Sequence, residues 1–589
     1  MFSSQPISQT KKGITWGDLA ALAIVGFLLY GMIATAERWT GDLQPNFTID
    51  LSDESLPMYA LYSLFRALIA YSISLTFTLV FGYWAAKQKT AEQIIIPLMD
   101  IGQSIPVLGF LPGLVLGLIS IFPHSNFGLE LACILMIFTG QVWNMAFSYY
   151  YSLKSIPNYF FELSSNVRLS TFQRMVQIEL PYSASGLAWN SLMSMAGGWF
   201  YLTVCEAFVL GDRQFRLPGL GSFMAMAIEQ GNTHAIFSGL LAMVSVIVGM
   251  DFLLWRPIVS WTRRFRLDEQ QDAVQEIPFI QLLLRESSVA RFMGDFVKKW
   301  FREEHAIQQI PITPNPKILK RVKSVQRRFR FPGFIGKPLK KFKMGNKAVF
   351  IAFVVVGFWL SGKLFRLLEP LAWSDYLHIF QSAAYTFGRV LFAVLVSTLW
   401  AVPFGLWVGL SPRLTLFFQP VIQVAASFPA PMLYPIVLTA LSLLGIQLGI
   451  GAGVLMLLGV QWYVLFNVLA GAAVISRELR DTFKLTGISS KETWLNLYLP
   501  SIFPSLVTGW VTAAGGAWNA SIVSEYIQFK GETLKTVGLG ALISEATASA
   551  NYSLLAGSLI MMVIIVVSLN RLVWHPLYSY VERRFRFER

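Results

Sequence analysis

Long apolar stretches alternate with short polar ones along almost the whole chain. A membrane-crossing helix needs about 20 mostly apolar residues. Stretches of that length lie near 17–36, 58–85, 94–121, 128–153, 185–209 and 235–256. They recur near 348–366, 383–410, 417–444, 447–474, 503–526 and 553–574. The pattern predicts an all-α membrane protein of about 12 transmembrane helices, six and six. The expected divisions are 1–56 (first span and its outer loop), 57–262 (first repeat), 263–347 (basic linker), 348–380 (first helix of the second half) and 381–589 (second repeat).

The halves are a tandem duplication. Tyr62-Ser63-Leu64-Phe65-Arg66 matches Tyr385-Thr386-Phe387-Gly388-Arg389, and Pro97, Ser104, Pro106 and Pro112 match Pro420, Ser427, Pro429 and Pro435, all at an offset of 323. Beyond a short gap the offset is 319: Gly197 and Trp199 match Gly516 and Trp518, Glu206 matches Glu525, and Gly219-Leu220-Gly221 matches Gly538-Leu539-Gly540. Each copy has an even number of spans, so both run the same way through the membrane, as a parallel repeat.

One polar stretch interrupts each half at a fixed place. Asp481–Pro500 reads DTFKLTGISSKETWLNLYLP, and Glu162–Pro181 reads ELSSNVRLSTFQRMVQIELP. Ser489 with Glu492, and Ser170 with Gln173, have the spacing of a capping box, in which side chains satisfy the first amides of a helix. Each stretch closes on a proline, which suits the first turn of a following helix because that turn needs no amide donor there.

Charge sets the expected orientation. The loop at 37–57 carries Glu37, Asp42, Asp50, Asp53 and Glu54 against Arg38, whereas 263–347 carries 20 Lys/Arg against 8 Asp/Glu. The positive-inside rule makes the basic stretch cytoplasmic, and with it both termini and both capped stretches. Lys11 and Lys12 precede the first span and no A-x-A site follows it, so it is expected to be retained. In the linker, 282–301 has the pattern of a helix lying on the membrane surface. RRFR at 263–266, 327–330 and 583–586 reads as headgroup anchoring, with membrane lipid as the partner. Hydrophobic residues at 54% and charged residues at 14% are membrane values, and the net charge of +14 then points to inner loops and lipid rather than nucleic acid.

Bond-making chemistry has no constellation to support it. The five histidines are scattered and the two cysteines, Cys133 and Cys205, sit inside apolar stretches. Gly357-x4-Gly362-Lys363 begins like a phosphate loop, but Leu364 stands where Ser or Thr would hold magnesium, so no ATP is expected on this chain. No residue is assigned to catalysis or metal. Candidate path residues are the polar and aromatic groups within the spans. Arg66 and Arg389 either line an anion path or pair helices. Glu206 and Glu525 either close a gate or brace packed helices. Ser104, Pro106, Ser427 and Pro429 predict kinks whose freed carbonyls need a polar neighbour. Gln141, Gln461, Trp199 and Trp518 complete the set.

At these residues the chain resembles the permeases of ABC importers, whose cytoplasmic signature is E-A-A, three residues, G, nine residues, I-x-L-P. Asp481, Gly487, Leu497, Leu499 and Pro500 hold that spacing in the second copy, and Glu162, Arg168, Ile178, Leu180 and Pro181 in the first. Asp481 stands for Glu, neither copy has the alanine pair, and Arg168 replaces the glycine. The S-x-x-R opening of the second span, the S-x-P and the run from tryptophan to GLG look most like nitrate, sulfonate, taurine and bicarbonate permeases. The resemblance implies two parallel six-helix type I importer repeats in a bacterial inner membrane. It also implies two cytoplasmic ATPase subunits, which hold ATP and Mg, docked on the signature helices, and an external solute-binding protein. It implies a small anionic cargo and a weaker first loop, because of Arg168. A secondary transporter or a channel independent of ATP is the alternative.

Overall fold

The computed structural model describes residues 16–104, 106–210, 213–265, 362–363 and 365–585. The linker, the surface helix at 282–301, RRFR at 327–330 and most of the 348–366 span lie outside the described residues, as does part of the Gly357–Lys363 stretch. By contacts the described chain belongs mainly to one body, 31–265 with 367–585; the smaller unit contributes 16–30 and a few residues up to 366.

In the first half, α1 (Trp16–Thr40) leads through a loop to α2 (Leu56–Phe77), which continues through a π turn into α3 (Tyr83–Lys87). There follow α4 (Lys89–Ser104), α5 (Leu111–Ile121), α6 (Phe127–Lys154), α7 (Asn158–Asn166), α8 (Thr171–Arg174) and α9 (Leu180–Cys205). A hairpin of β1 (Ala207–Leu210) and β2 (Arg213–Arg216) precedes α10 (Leu220–Glu229), α11 (Thr233–Met250) and α12 (Arg256–Arg263). The second half repeats this as α13 (Trp373–Gly409), α14 (Pro412–Ser427), α15 (Ala430–Leu443), α16 (Leu448–Ala473), α17 (Arg477–Leu485), α18 (Ser490–Thr493) and α19 (Leu499–Ser524). The hairpin of β3 (Tyr526–Phe529) and β4 (Glu532–Lys535) then leads to α20 (Leu539–Ala548), α21 (Tyr552–Leu569) and α22 (His575–Phe585).

Among the described residues seven helices are long and apolar enough to cross a membrane, or eight if a bent pair counts as one. That pair corrects one expectation. The S-x-P sites do not kink a continuous helix; they break it. α14 ends at Ser427, Phe428 is extended, and Pro429 begins the turn into α15 at 86° to α14. The residue before a proline is pushed out of the α region, so the helix stops there.

Two further boundaries differ from the expected spans. AFVL, three of whose residues read as the end of the fifth span, and YIQF, which begins on the last residue of its counterpart, are strands; β1 pairs with β2 and β3 with β4, antiparallel. Short apolar runs rich in β-branched and aromatic residues carry no period that separates strand from helix. Lys530 and Gly531, at φ 52° and 77°, make the two left-handed positions of a tight hairpin turn. Pro181 and Pro500, moreover, do not open new helices. The chain passes without a break from α8 to α9 and from α18 to α19 through π turns at Met175–Glu179 and Trp494–Tyr498. A proline cannot donate to the carbonyl four residues back and its ring crowds that carbonyl, which a locally widened turn relieves. The same turn precedes Pro257 and Pro576.

Each half buries a three-helix seam, α2 on α6 on α9 and α13 on α16 on α19. The halves meet where α9 packs on α14 and α15, where α11 packs on α14, and where α4 packs on α21. At the α11–α14 contact the buried Asp251 carboxylate accepts from Gln423 Nε2, while Arg256 Nε holds its other oxygen at 2.8 Å.

Candidate functional site

At one end of the bundle lie the two capped helices. Ser170 Oγ accepts from the Gln173 amide at 3.2 Å and Gln173 Oε1 from the Ser170 amide at 2.9 Å. Ser489 and Glu492 repeat this reciprocal pair at 3.3 and 3.2 Å. Ahead of each cap the chain turns through a left-handed residue: Gly487 at φ 69° and Arg168 at φ 57°. Arg168 therefore makes the same turn as the glycine, closed by bonds from its own amide to Ser165 O and from Leu169 N to Ser164 O at 3.0 and 2.9 Å. These are the two bonds of a Schellman stop. A non-glycine residue pays roughly 1–2 kcal/mol for that conformation.

Leu163, Val167 and Leu485 are exposed on this end although apolar, Leu485 at 88%. Glu162 and Asp481 are exposed too, whereas Leu497 is buried and Ile178, Leu180, Pro181, Leu499 and Pro500 are partly buried. Each helix is tied to its bundle by a different device. In the first half the fully buried Glu179 takes Lys87 Nζ at 2.6 Å and Arg174 Nε at 3.1 Å. In the second, Arg480 Nη1 donates to Leu410 O at 2.8 Å.

The opposite end of each half is organised by an arginine and a glutamate. Arg66 is 1% exposed; its Nη1 meets Glu206 Oε1 at 2.7 Å and Pro218 O at 2.9 Å, and its Nε and Nη2 grip both oxygens of Glu130 at 2.6 and 2.8 Å. Glu206 also accepts from Ser63 Oγ and the Gly221 amide, each at 2.6 Å. In the second half Arg389 Nη1 meets Glu525 Oε1 at 2.7 Å and Val537 O at 2.8 Å, and Nε meets Gly449 O at 2.8 Å. Glu525 further accepts from Thr386 Oγ1 at 2.8 Å and the Gly540 amide at 2.9 Å. Both glutamates thus sit at helix N-termini, whose free amides favour a carboxylate. The GLG runs follow from that closeness. A Cβ on Gly219 or Gly538 would lie 2.4 or 2.2 Å from a carboxylate atom, and one on Gly221 or Gly540 within 2.8 Å of backbone. The arrangement bolts the second helix to the end of the fifth in each repeat and leaves neither arginine an unneutralised charge.

The remaining candidates divide between core and seam. Gln141 is buried between helices, donating to Met195 Sδ and accepting from Ser74 at 3.4 Å. Trp199 and Trp518 are buried at 1% and 2%. Ser104 and Ser427 end their half-helices, Pro106 and Pro429 begin the next turn, and Gln461 is partly buried on α16. Asn519, which the sequence reading passed over, crosses between halves: its Oδ1 accepts the Val107 amide at 2.9 Å, capping the turn after Pro106. Glu130 was also missed. It lies near the start of a mostly apolar span where a lone carboxylate demands a partner, yet the residue at its repeat position is Gly449, so comparing the halves hides it.

Among the described residues, two of the cavities lie between the halves. The larger, about 300 Å³, is walled by both hairpins, α5, α10, α15 and α20. The smaller, about 60 Å³, lies between α9, α16, α19 and the α14–α15 break.

Residues 78–254 and 401–587 each match the family described as binding-protein-dependent transport system inner membrane component. The taurine transport system permease protein TauC of Escherichia coli is 26% identical over 187 residues, 31% of this chain and 63% of that protein. The nitrate import permease protein NrtB of Leptolyngbya laminosa is 23% identical over 206 residues, 35% of this chain and 68% of that protein. A putative ABC transporter permease of Methanocaldococcus jannaschii is 23% identical over 198 residues, 33% and 68% of the two chains. The chain thus aligns with somewhat under two thirds of the taurine permease's length.

Proposed function

Because this chain belongs to the family of binding-protein-dependent transport system inner membrane components, and carries that domain twice, we propose that it forms by itself the whole translocation path of an ATP-driven importer. It is a multi-pass membrane protein of a permease family, not of an enzyme family. Its cargo in this reading is a small anion of the sulfonate, nitrate or bicarbonate kind. The taurine and nitrate permeases among its relatives support that choice.

The observation that carries the reading is the capped helix present twice at one offset, with the same left-handed turn and with apolar side chains left outside. An exposed apolar patch rimmed by polar residues is the mark of a docking surface. Two cytoplasmic ATPase subunits, which carry ATP and Mg, bind there, one per half. An external solute-binding protein delivers the anion at the hairpin end. Both termini and the 263–347 linker then face the cytoplasm of a bacterial cell. Closing of the ATPases pushes the capped helices. The Lys87–Glu179–Arg174 cluster passes that displacement to α3 in the first half, and the Arg480–Leu410 bond passes it to α13 in the second.

Copurification of an ATPase subunit tests the assignment, and ATP-independent uptake would support the secondary-transporter alternative instead. A sharper test is Gly487→Val. Space around Gly487 is open, so only the backbone conformation is disturbed. At 1–2 kcal/mol or more for a β-branched residue, coupled uptake should fall about tenfold. Unchanged solute-stimulated ATPase and uptake would count against docking at this turn.

A further inference from the structure

Arg66 and Arg389, read as either path-lining or helix-pairing, are each neutralised by carboxylates, so an anion inside the bundle is met by other groups. The 60 Å³ cavity between the halves is closed by aromatic side chains, among them Phe428 at the α14–α15 break and Trp462. Two tyrosines line it, Tyr201 from α9 of the first half and Tyr463 from α16 of the second. Neither hydroxyl has a hydrogen-bond partner among the described residues. The surrounding glycines show how closely the rings are placed. A Cβ on Gly140 would lie 2.2 Å from the Tyr201 ring; one on Gly197, across the seam, would lie 3.4 Å from Tyr463 Oη, and one on Gly516 would lie 3.1 Å from the Tyr463 ring. Asn519 lies beside them; its oxygen is used by the Val107 amide and its Nδ2 bonds Gly515 O at 3.1 Å, leaving one N–H.

We propose that Tyr201, Tyr463 and Asn519 form a neutral subsite for an oxyanion head group, a sulfonate or nitrate, on its way between the halves. This rests on the anion-importer reading above. Both tyrosines are partly buried, and an unpartnered phenol hydroxyl is a donor as well as an acceptor. Three uncharged donors replace part of an anion's hydration shell without the tight grip of a buried cation, and passage requires binding weak enough to leave. The cavity, about 60 Å³, has room for more than one water and suits a compact head group rather than a whole organic solute.

The complete transporter, with its ATPases and binding protein, is reconstituted in proteoliposomes and offered taurine, nitrate and bicarbonate in turn. Tyr201→Phe and Tyr463→Phe keep the rings and remove only the hydroxyls. Each should lower the maximal uptake rate of the transported anion about tenfold, the worth of one buried hydrogen bond. The apparent affinity, set upstream by the binding protein, should stay the same. The melting midpoint of each variant, read by tryptophan fluorescence, should lie within a few degrees of the parent. A double phenylalanine variant that carries the anion at the parental rate overturns the subsite while the importer reading stands. A parent that carries only a cation or a neutral solute overturns both.

Discussion

The two arginine–glutamate bolts are built alike but are not equally provided for, and that difference can be measured. Replacing Glu206 by Gln leaves Arg66 gripped by both oxygens of Glu130 at 2.6 and 2.8 Å, so its charge stays compensated. The loss is one charge-assisted bond, about 1.5–3 kcal/mol. Replacing Glu525 by Gln is different. The position matching Glu130 is Gly449, and Arg389 keeps only its carbonyl, Val537 O and Thr536 Oγ1, all neutral. Removing one partner of a buried pair leaves an uncompensated charge and costs about 3–5 kcal/mol. Arg389 is 11% exposed against 1% for Arg66, which trims the upper figure rather than the order. Glu525→Gln should therefore be the more destabilising variant by about 2 kcal/mol. The assay is thermal unfolding of both variants in lipid nanodiscs, followed by tryptophan fluorescence. A Glu206→Gln midpoint as low as that of Glu525→Gln would refute the argument, because it would mean that Glu130 does not compensate Arg66.

Three other outcomes are expected. Arg168→Gly removes the left-handed penalty and should raise the melting midpoint, by roughly 1 kcal/mol of added stability, without loss of coupled ATPase activity. Gly538→Ala places a methyl group against the Glu525 carboxylate and should lower the midpoint of protein recovered in the membrane, more than Gly515→Ala, where space is open. At the start of α4, Glu92 accepts from the Tyr150 hydroxyl and from Lys154, and those bonds hold its carboxyl below the usual range. A folded pKa below the unfolded one gives stability that is present above the unfolded pKa and lost as pH falls through the folded one. Glu92→Gln should flatten the acid limb of a melting-midpoint profile between about pH 5 and 3, which a pH series on both proteins would show.

Much of this was legible because duplication supplies an internal control. Two copies of a capping pair at one offset single out Ser170 and Ser489, and both caps are formed. What stayed hidden was what the copies do not share. Glu130 has no counterpart, and Asn519 repeats Phe200. The substitution of glycine by Arg168 suggested a weaker turn, whereas sequence alone does not reveal that surrounding bonds hold an arginine at positive φ. The strands were concealed because their apolar residues continue those of the preceding helices. Tyr201 and Tyr463 carry no signal, since an aromatic residue in an apolar span is ordinary until the other half is seen to face it.

The contact between Asp251 and Gln423 bears on why the two halves are joined. Asp251 corresponds by repeat to Asn570, and Gln423 to Asp100. An isologous pair of first halves would bring Asp251 against a second carboxylate at the place of Asp100, and a pair of second halves would bring amide against amide. Two-fold symmetry obliges an interface to be complementary to itself, and like charges set face to face exclude the wrong pairing. Once the copies share one polypeptide, equal dosage is guaranteed and that obligation lapses. Each copy has become the other's specific partner, so that two copies of one ancestral unit now make a heterodimer within a single chain, its contact no longer suited to either half pairing with itself.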